Sequence, residues 1–177
     1  FGDFVSVSAA HGHGSRMDVI DRTYFPHSLG LLYLAITQYL GFKKYGDEYK
    51  VMGLAPYGTP AHMDAIQSLV ALNPGGGFAL DLRCFSHWTG EMSMSWDSGE
   101  PTLPDVYTSE LVDRLGPVRE PDEPVSKRHE DLAASVQRVF EECAFHVLRG
   151  VHQRISVDAL CLAGGCAMNS VANGKIR

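Results

Sequence analysis

The sequence predicts an α/β layered fold. Two stretches with helical apolar spacing, 29–40 and 131–150, and a short apolar run at 157–163 that Gly164 and Gly165 turn into a further helix, give the helix, strand, turn and helix order of such layers.

Residues 4–8 (Phe-Val-Ser-Val-Ser) suit a short strand, 11–15 (His-Gly-His-Gly-Ser) read as turn, and a second strand is expected at 17–20, so the chain opens on a hairpin. Ser28 can cap a helix whose Leu29, Leu32, Tyr33, Ile36 and Leu40 share one face, with Gly41 as its stop. Shorter helices are expected at 48–54 and 61–72. Residues 73–128 hold six of the nine prolines and the Gly75-Gly76-Gly77 run, with one modest helix at 109–115. They are expected to form an irregular insertion or one wall of a site.

Regularity returns at Asp131. Leu132, Val136, Val139, Phe140, Cys143 and Val147 trace one face of a long helix ended by Gly150, which leaves Glu141, Glu142 and Arg149 for the wet side. Residues 157–163 have the composition of a buried strand, and the helix after them is expected from about Ala167, with Met168 in the core.

With 45% hydrophobic and 20% charged residues among 177, the chain can bury one ordinary core and falls outside the disordered, fibrous and membrane classes. Nothing approaches the roughly 20 apolar residues of a bilayer span, and the start has no signal-like segment. A cytoplasmic location and no membrane partner are expected. A net charge of -6 works against tracking a phosphate backbone, so no nucleic acid is expected. Cys84, Cys143, Cys161 and Cys166 show no metal spacing and read as reduced structural thiols. Neither Phe1 nor Arg177 lies in a polar linker of the kind that bounds domains. One incomplete domain over 1–177 is therefore expected, inactive alone and prone to aggregate through open sheet edges.

The turn from Ala163 to Asn169 suits a nucleotide. Two glycines let a ligand approach the backbone, the N–H groups of the following helix attract phosphate or ribose oxygen, and Asn169 is placed to hydrogen-bond it. The same glycines also serve a tight strand-to-helix connection. His11 and His13 are read as a flexible glycine-rich turn, since no third metal ligand stands near them. His87, Trp88, Asp97 and Glu100 carry no spacing that assigns them a role.

Four stretches resemble successive signatures of one family, in the family's order. They are Phe25-Pro-His-Ser-Leu-Gly-Leu-Leu-Tyr33, Gly46-Asp-Glu-Tyr-Lys-Val-Met-Gly-Leu-Ala-Pro-Tyr-Gly58, His129-Glu-Asp-Leu-Ala-Ala-Ser-Val-Gln137 and the segment from Leu162 through Asn169 to Ile176. The family is that of the carbamoyltransferases of nodulation-factor, aminoglycoside and cephem biosynthesis. The resemblance implies an actin-like ATPase (ribonuclease H-like) domain, a mixed sheet with packed helices. It implies ATP used as carbamoyl-adenylate, made from carbamoyl phosphate by a downstream adenylate-forming domain, and transfer of the carbamoyl group to a hydroxyl of a sugar-containing or other secondary-metabolite acceptor.

A divalent metal, iron in the family, is implied with ligands outside this chain, since Phe1-Gly-Asp3 resembles the tail of the family's Asp-Gly-x-Gly-(Asp/Glu) motif just after its aspartate. The nucleotide-facing residues carried over are Gly2, His27, Glu48, Lys50, Gly164, Gly165 and Asn169. Glu48 would accept from ribose hydroxyls and Lys50 would pair with phosphate; a helix entry for His27 and solvated positions for Glu48 and Lys50 are the competing roles. Carbamoyl transfer of the hydrogenase-maturation type and a non-catalytic nucleotide-binding module are the rival readings.

Overall fold

In the computed structural model, which describes residues 4–90, 92–97 and 99–176, the chain is α/β. Its strands form three two-stranded antiparallel ladders among the described residues, in place of one mixed sheet. β1 (Val5–His13) and β2 (Arg16–Tyr24) make a longer hairpin than expected. Gly14 reverses the chain at φ +59°, and His11, Gly12 and His13 are thereby drawn into the ladder opposite Asp18, Met17 and Arg16, leaving only Gly14 and Ser15 as turn.

α1 (Leu29–Tyr39) starts where Ser28 Oγ accepts the Leu31 N–H at 3.3 Å. Every residue of α1 except Gly30 is buried, so the helix is enclosed on all sides rather than along one stripe. Its polar side chains accordingly find main-chain partners: Gln38 Nε2 donates to the Pro104 carbonyl (3.0 Å), Gln38 Oε1 accepts from the Val106 N–H (2.9 Å), and the Tyr39 hydroxyl donates to the Gly116 carbonyl (2.7 Å). Residues 73–128 thus wrap α1, and they supply Phe78, Phe85, Val106, Leu111 and Leu115 to the core.

α2 (Glu48–Leu54) spans the expected residues. α3 (Met63–Gln67) stops short of Leu72, because the positive-φ glycines Gly75 and Gly76 fold the chain back and pair β3 (Val70–Leu72) with β4 (Phe78–Leu80). β5 (Ser95–Asp97) and β6 (Glu100–Thr102) form the third ladder, and α4 (Ser109–Leu115) lies where expected.

α5 (Lys127–Arg154) is the longest element, about 42 Å at helical rise. It begins earlier than the apolar stripe suggests because Ser126 and His129 close its first turn: the Ser126 N–H donates to His129 Nδ1 at 3.0 Å. It also runs through Gly150, where a stop was expected. A Cβ at Gly150 would overlap the Gly75 carbonyl, so this glycine admits a crossing loop and does not end the helix. At the other end the backbone of Gly58 lies against the Glu130 carbonyl just as closely. Glu142 and Arg149 are at least partly exposed as expected, but Glu141 is buried at 2% exposure.

Residues 157–163 form no strand and lie exposed, with Val157, Leu160 and Leu162 open to solvent. An extended segment joins a ladder only where a neighbour offers unpaired N–H and C=O groups, and none of the described strands pairs with it. Cys84 and Cys143 are buried free thiols, pushed up to about 11 and about 12 by burial; Cys161 and Cys166 are free as well.

His27 and His129 each accept a backbone N–H on Nδ1, from Leu80 (3.1 Å) and Ser126, which only an imidazole unprotonated at Nδ1 can do. Desolvation holds both below the usual histidine range. In the unfolded chain they titrate near about pH 6.5. The unfolded state therefore takes up protons first, and this part of the stability is intact above that pH and lost as pH falls through the depressed folded values. The melting temperature is expected to drop between pH 7.5 and 5.5. His129→Asn, whose Oδ1 can accept the same N–H without titrating, should make that drop shallower; an unchanged profile in the variant would contradict the assignment.

Candidate functional site

Gly164 sits at φ +95° and ψ 171°, a conformation open essentially to glycine alone, and delivers the chain into a one-turn 3₁₀ segment, Gly165–Met168. Among the described residues nothing lies within 4 Å of a Cβ built on either Gly164 or Gly165, so both present bare backbone on that side. α6 (Ser170–Asn173) follows, capped by Asn169, whose Oδ1 accepts the Ala172 N–H at 2.9 Å. The single helix expected from Ala167 is thus two short turns broken at Asn169. Met168, expected in the core, ends the 3₁₀ segment and is 79% exposed.

The turn rests on α1. Cys166 Sγ lies 3.5 Å from the position a Cβ would take on Gly30, and burial raises its thiol pKa although the residue as a whole is exposed. Beneath the turn runs a buried polar network. The Tyr33 hydroxyl donates to Gln137 Oε1 (3.0 Å), Gln137 Nε2 donates to Glu141 Oε1 (2.9 Å), and Gln137 and Asn169 exchange hydrogen bonds. Lys175 donates to both Glu141 oxygens at 2.7 Å. Burial, and then the charges of Glu141 and Glu48, hold the Tyr33 phenol well above its usual range, so it stays a donor.

Glu48, at the first turn of α2, is half-buried; α2 meets the end of the glycine turn where Ser170 Oγ lies 3.7 Å from Met52 Sδ, and the Glu48 charge acts on both Tyr33 and Cys166. Among the described residues Glu48 makes no hydrogen bond or ion pair. Lys50 is not brought to that place. Two residues on, it faces about 200° around the helix, where its ammonium pairs with Asp47 at 2.7 Å and lies over the Phe42 ring. There it lines a cavity of about 350 Å³ with Lys43, Lys44 and Arg119.

His27 sits at the foot of α1 with Nδ1 committed to the Leu80 N–H, and Gly2 lies outside the described residues. The structure therefore gathers Glu48, Gly164, Gly165 and Asn169 and leaves Lys50 and His27 to other partners. Sequence reasoning missed Tyr33, Gln137, Glu141 and Lys175 as one network. The available signal was the Gln137 and Glu141 pair, four residues apart on α5 and adjoining its apolar stripe.

Among the described residues no group of three His, Cys, Asp or Glu side chains converges to hold a metal ion, His11 and His13 included. The divalent metal implied by the resemblance was expected to take its ligands from outside this chain. No described helix is long and apolar enough to cross a membrane.

Residues 2–177 match the family model described as "Carbamoyltransferase N-terminus". An uncharacterized protein of Synechocystis is 38% identical over 99% of this chain and 27% of its own length. Nodulation protein NolNO of Sinorhizobium fredii is 36% identical over 99% of this chain and 22% of its own length. Nodulation protein NolO of Bradyrhizobium diazoefficiens is 34% identical over 99% of this chain and 28% of its own length. The chain thus spans only about a quarter of these relatives.

Proposed function

The chain belongs to the carbamoyltransferase family, within that family's N-terminal region, and from this premise we propose that the whole protein is an ATP-dependent O-carbamoyltransferase of actin-like fold whose glycine turn, 164–169, binds the nucleotide. The carbamoyl group moves from carbamoyl-adenylate to a hydroxyl of the acceptor. The acceptor oxygen forms a bond to the carbamoyl carbon, the bond from that carbon to the phosphate oxygen breaks, AMP leaves, and the hydroxyl proton is released. A sugar-containing acceptor is the first to test, given the nodulation names of two relatives.

The observation that carries this reading is the Glu48 carboxylate, without a hydrogen bond or ion pair among the described residues, on the side of two open glycines. A carboxylate without a protein donor is suited to ribose hydroxyls, and backbone without a Cβ lets phosphate oxygens reach N–H groups. No described residue is placed as a general base, so these residues contribute binding and orientation. Lys50 is left out of the phosphate contact, because Asp47 holds it elsewhere.

The test is an assay of the full-length protein with carbamoyl phosphate, ATP and Fe(II), following pyrophosphate and AMP with and without hydroxyl acceptors. Pyrophosphate release should require carbamoyl phosphate, and AMP release should require an acceptor. Gly165→Val is expected to lower AMP release at least about tenfold, the effect of roughly 1.4 kcal/mol. ATP binding without carbamoyl phosphate-dependent turnover would replace this reading by a non-catalytic nucleotide module.

A further inference from the structure

The geometry points to Gln137 as a positioning residue for the nucleotide turn: α5 sets the turn through an amide clasp between Gln137 and Asn169, and Asn169 acts on the ligand indirectly. This rests on the reading of 164–169 as a nucleotide site.

Both amides are buried, Gln137 at 5% and Asn169 at 9% exposure. Gln137 Nε2 donates to Asn169 Oδ1 (3.1 Å) and Asn169 Nδ2 donates back to Gln137 Oε1 (3.0 Å). Their orientations are dictated from outside the pair. The Tyr33 hydroxyl donates to Gln137 Oε1, the Glu141 carboxylate accepts from Gln137 Nε2, and the Ala172 N–H donates to Asn169 Oδ1. Turning either amide over would oppose donor to donor and acceptor to acceptor in a buried place. Asn169 Oδ1 already takes two donors, so it has no lone pair to offer a ribose hydroxyl.

A second tie lies one helical turn along α5. Glu141 is buried and Lys175, beyond α6, donates to both its oxygens at 2.7 Å. The segment that carries Gly164 and Gly165 is therefore fixed to α5 at two points on one helix face, and the exposed glycines keep a set position although none of the described residues packs against them.

The test is a cycle of Gln137→Met, Asn169→Ala and the double variant in the full-length protein, with ATP affinity read by calorimetry. Each single change should weaken ATP about tenfold and the double no more than the weaker single, because both break one clasp. Lys175→Met, at a half-exposed position, should weaken ATP by less and in the same direction. Val139→Ala, buried on α5 away from the clasp, serves as control: it should lower the melting temperature without moving ATP affinity. If Gln137→Met keeps ATP within about twofold while Asn169→Ala loses it, or if the two losses add, Asn169 touches the ligand directly and the proposal is overturned. Amide exchange separates failure of the clasp from failure of the site. Faster exchange at Ala172 in Gln137→Met, with ATP unaffected there and in Gly165→Val alike, would keep the clasp and remove the nucleotide from this turn. Unchanged exchange would remove the clasp.

Discussion

Replacing Gly150 by valine is expected to destabilise the domain by about 3 kcal/mol, the upper end of what overpacking costs. Most core overpacking is relieved by shifting a side chain. Here a Cβ would overlap the Gly75 carbonyl and meet Gly76 Cα, both main-chain atoms, so relief requires moving α5 or the loop that crosses it. Gly150→Ala should cost less and act in the same direction. Gly53, inside α2 with nothing among the described residues within 4 Å of a built Cβ, is the comparison: Gly53→Ala should be neutral or stabilising by about 0.5–1 kcal/mol. Denaturant unfolding of the full-length protein, with amide exchange in α5 as the local readout, checks both. Equal effects at positions 150 and 53 would refute the crossing.

Arg119→Met is expected to cost a similar amount by a different route. Arg119 is buried at 7% exposure, and no carboxylate lies within ion-pair distance among the described residues. Its guanidinium instead donates to three carbonyls, Leu40 (2.8 Å), Pro121 (3.2 Å) and Glu123 (2.5 Å), and lies 5.2 Å from the Phe42 ring centroid. Methionine keeps the apolar stem and strands those carbonyls, at about 1 kcal/mol each. Lysine should recover only part, since one ammonium cannot reproduce a planar fork. Exchange should quicken where the 119–123 segment covers the end of α1. A variant with unaltered unfolding would mean that water replaces the guanidinium at no cost.

The two glycine effects bear on how far sequence could be read. Gly150 was legible as a position without a Cβ, but a helix stop and a close crossing both ask for that, and only the location of Gly75 decides between them. Ser28, α1, α2 and α4 were legible because cap chemistry and local spacing suffice. Glu141 was not: at the border of an apolar stripe a carboxylate reads as solvated, and its burial depends on Lys175, distant in sequence. Residues 157–163 mislead in the opposite sense. Their composition is that of a buried strand, while strand formation depends on a partner edge that composition does not encode. At the site, the glycines and Asn169 stood out by their turn chemistry, whereas Lys50 was separated from Glu48 by the helical period alone.

α5 touches main chain closely at two places, Gly58 against Glu130 and Gly75 with Gly76 against Gly150, about 30 Å apart along one rod. One residue added or removed between those places would swing one crossing about 100° away from the other. No loop adjustment restores both. Within the family, length differences from this chain are therefore expected to collect in segments such as 86–104, and the stretch from 130 to 150 is expected to keep a constant count while its individual residues change.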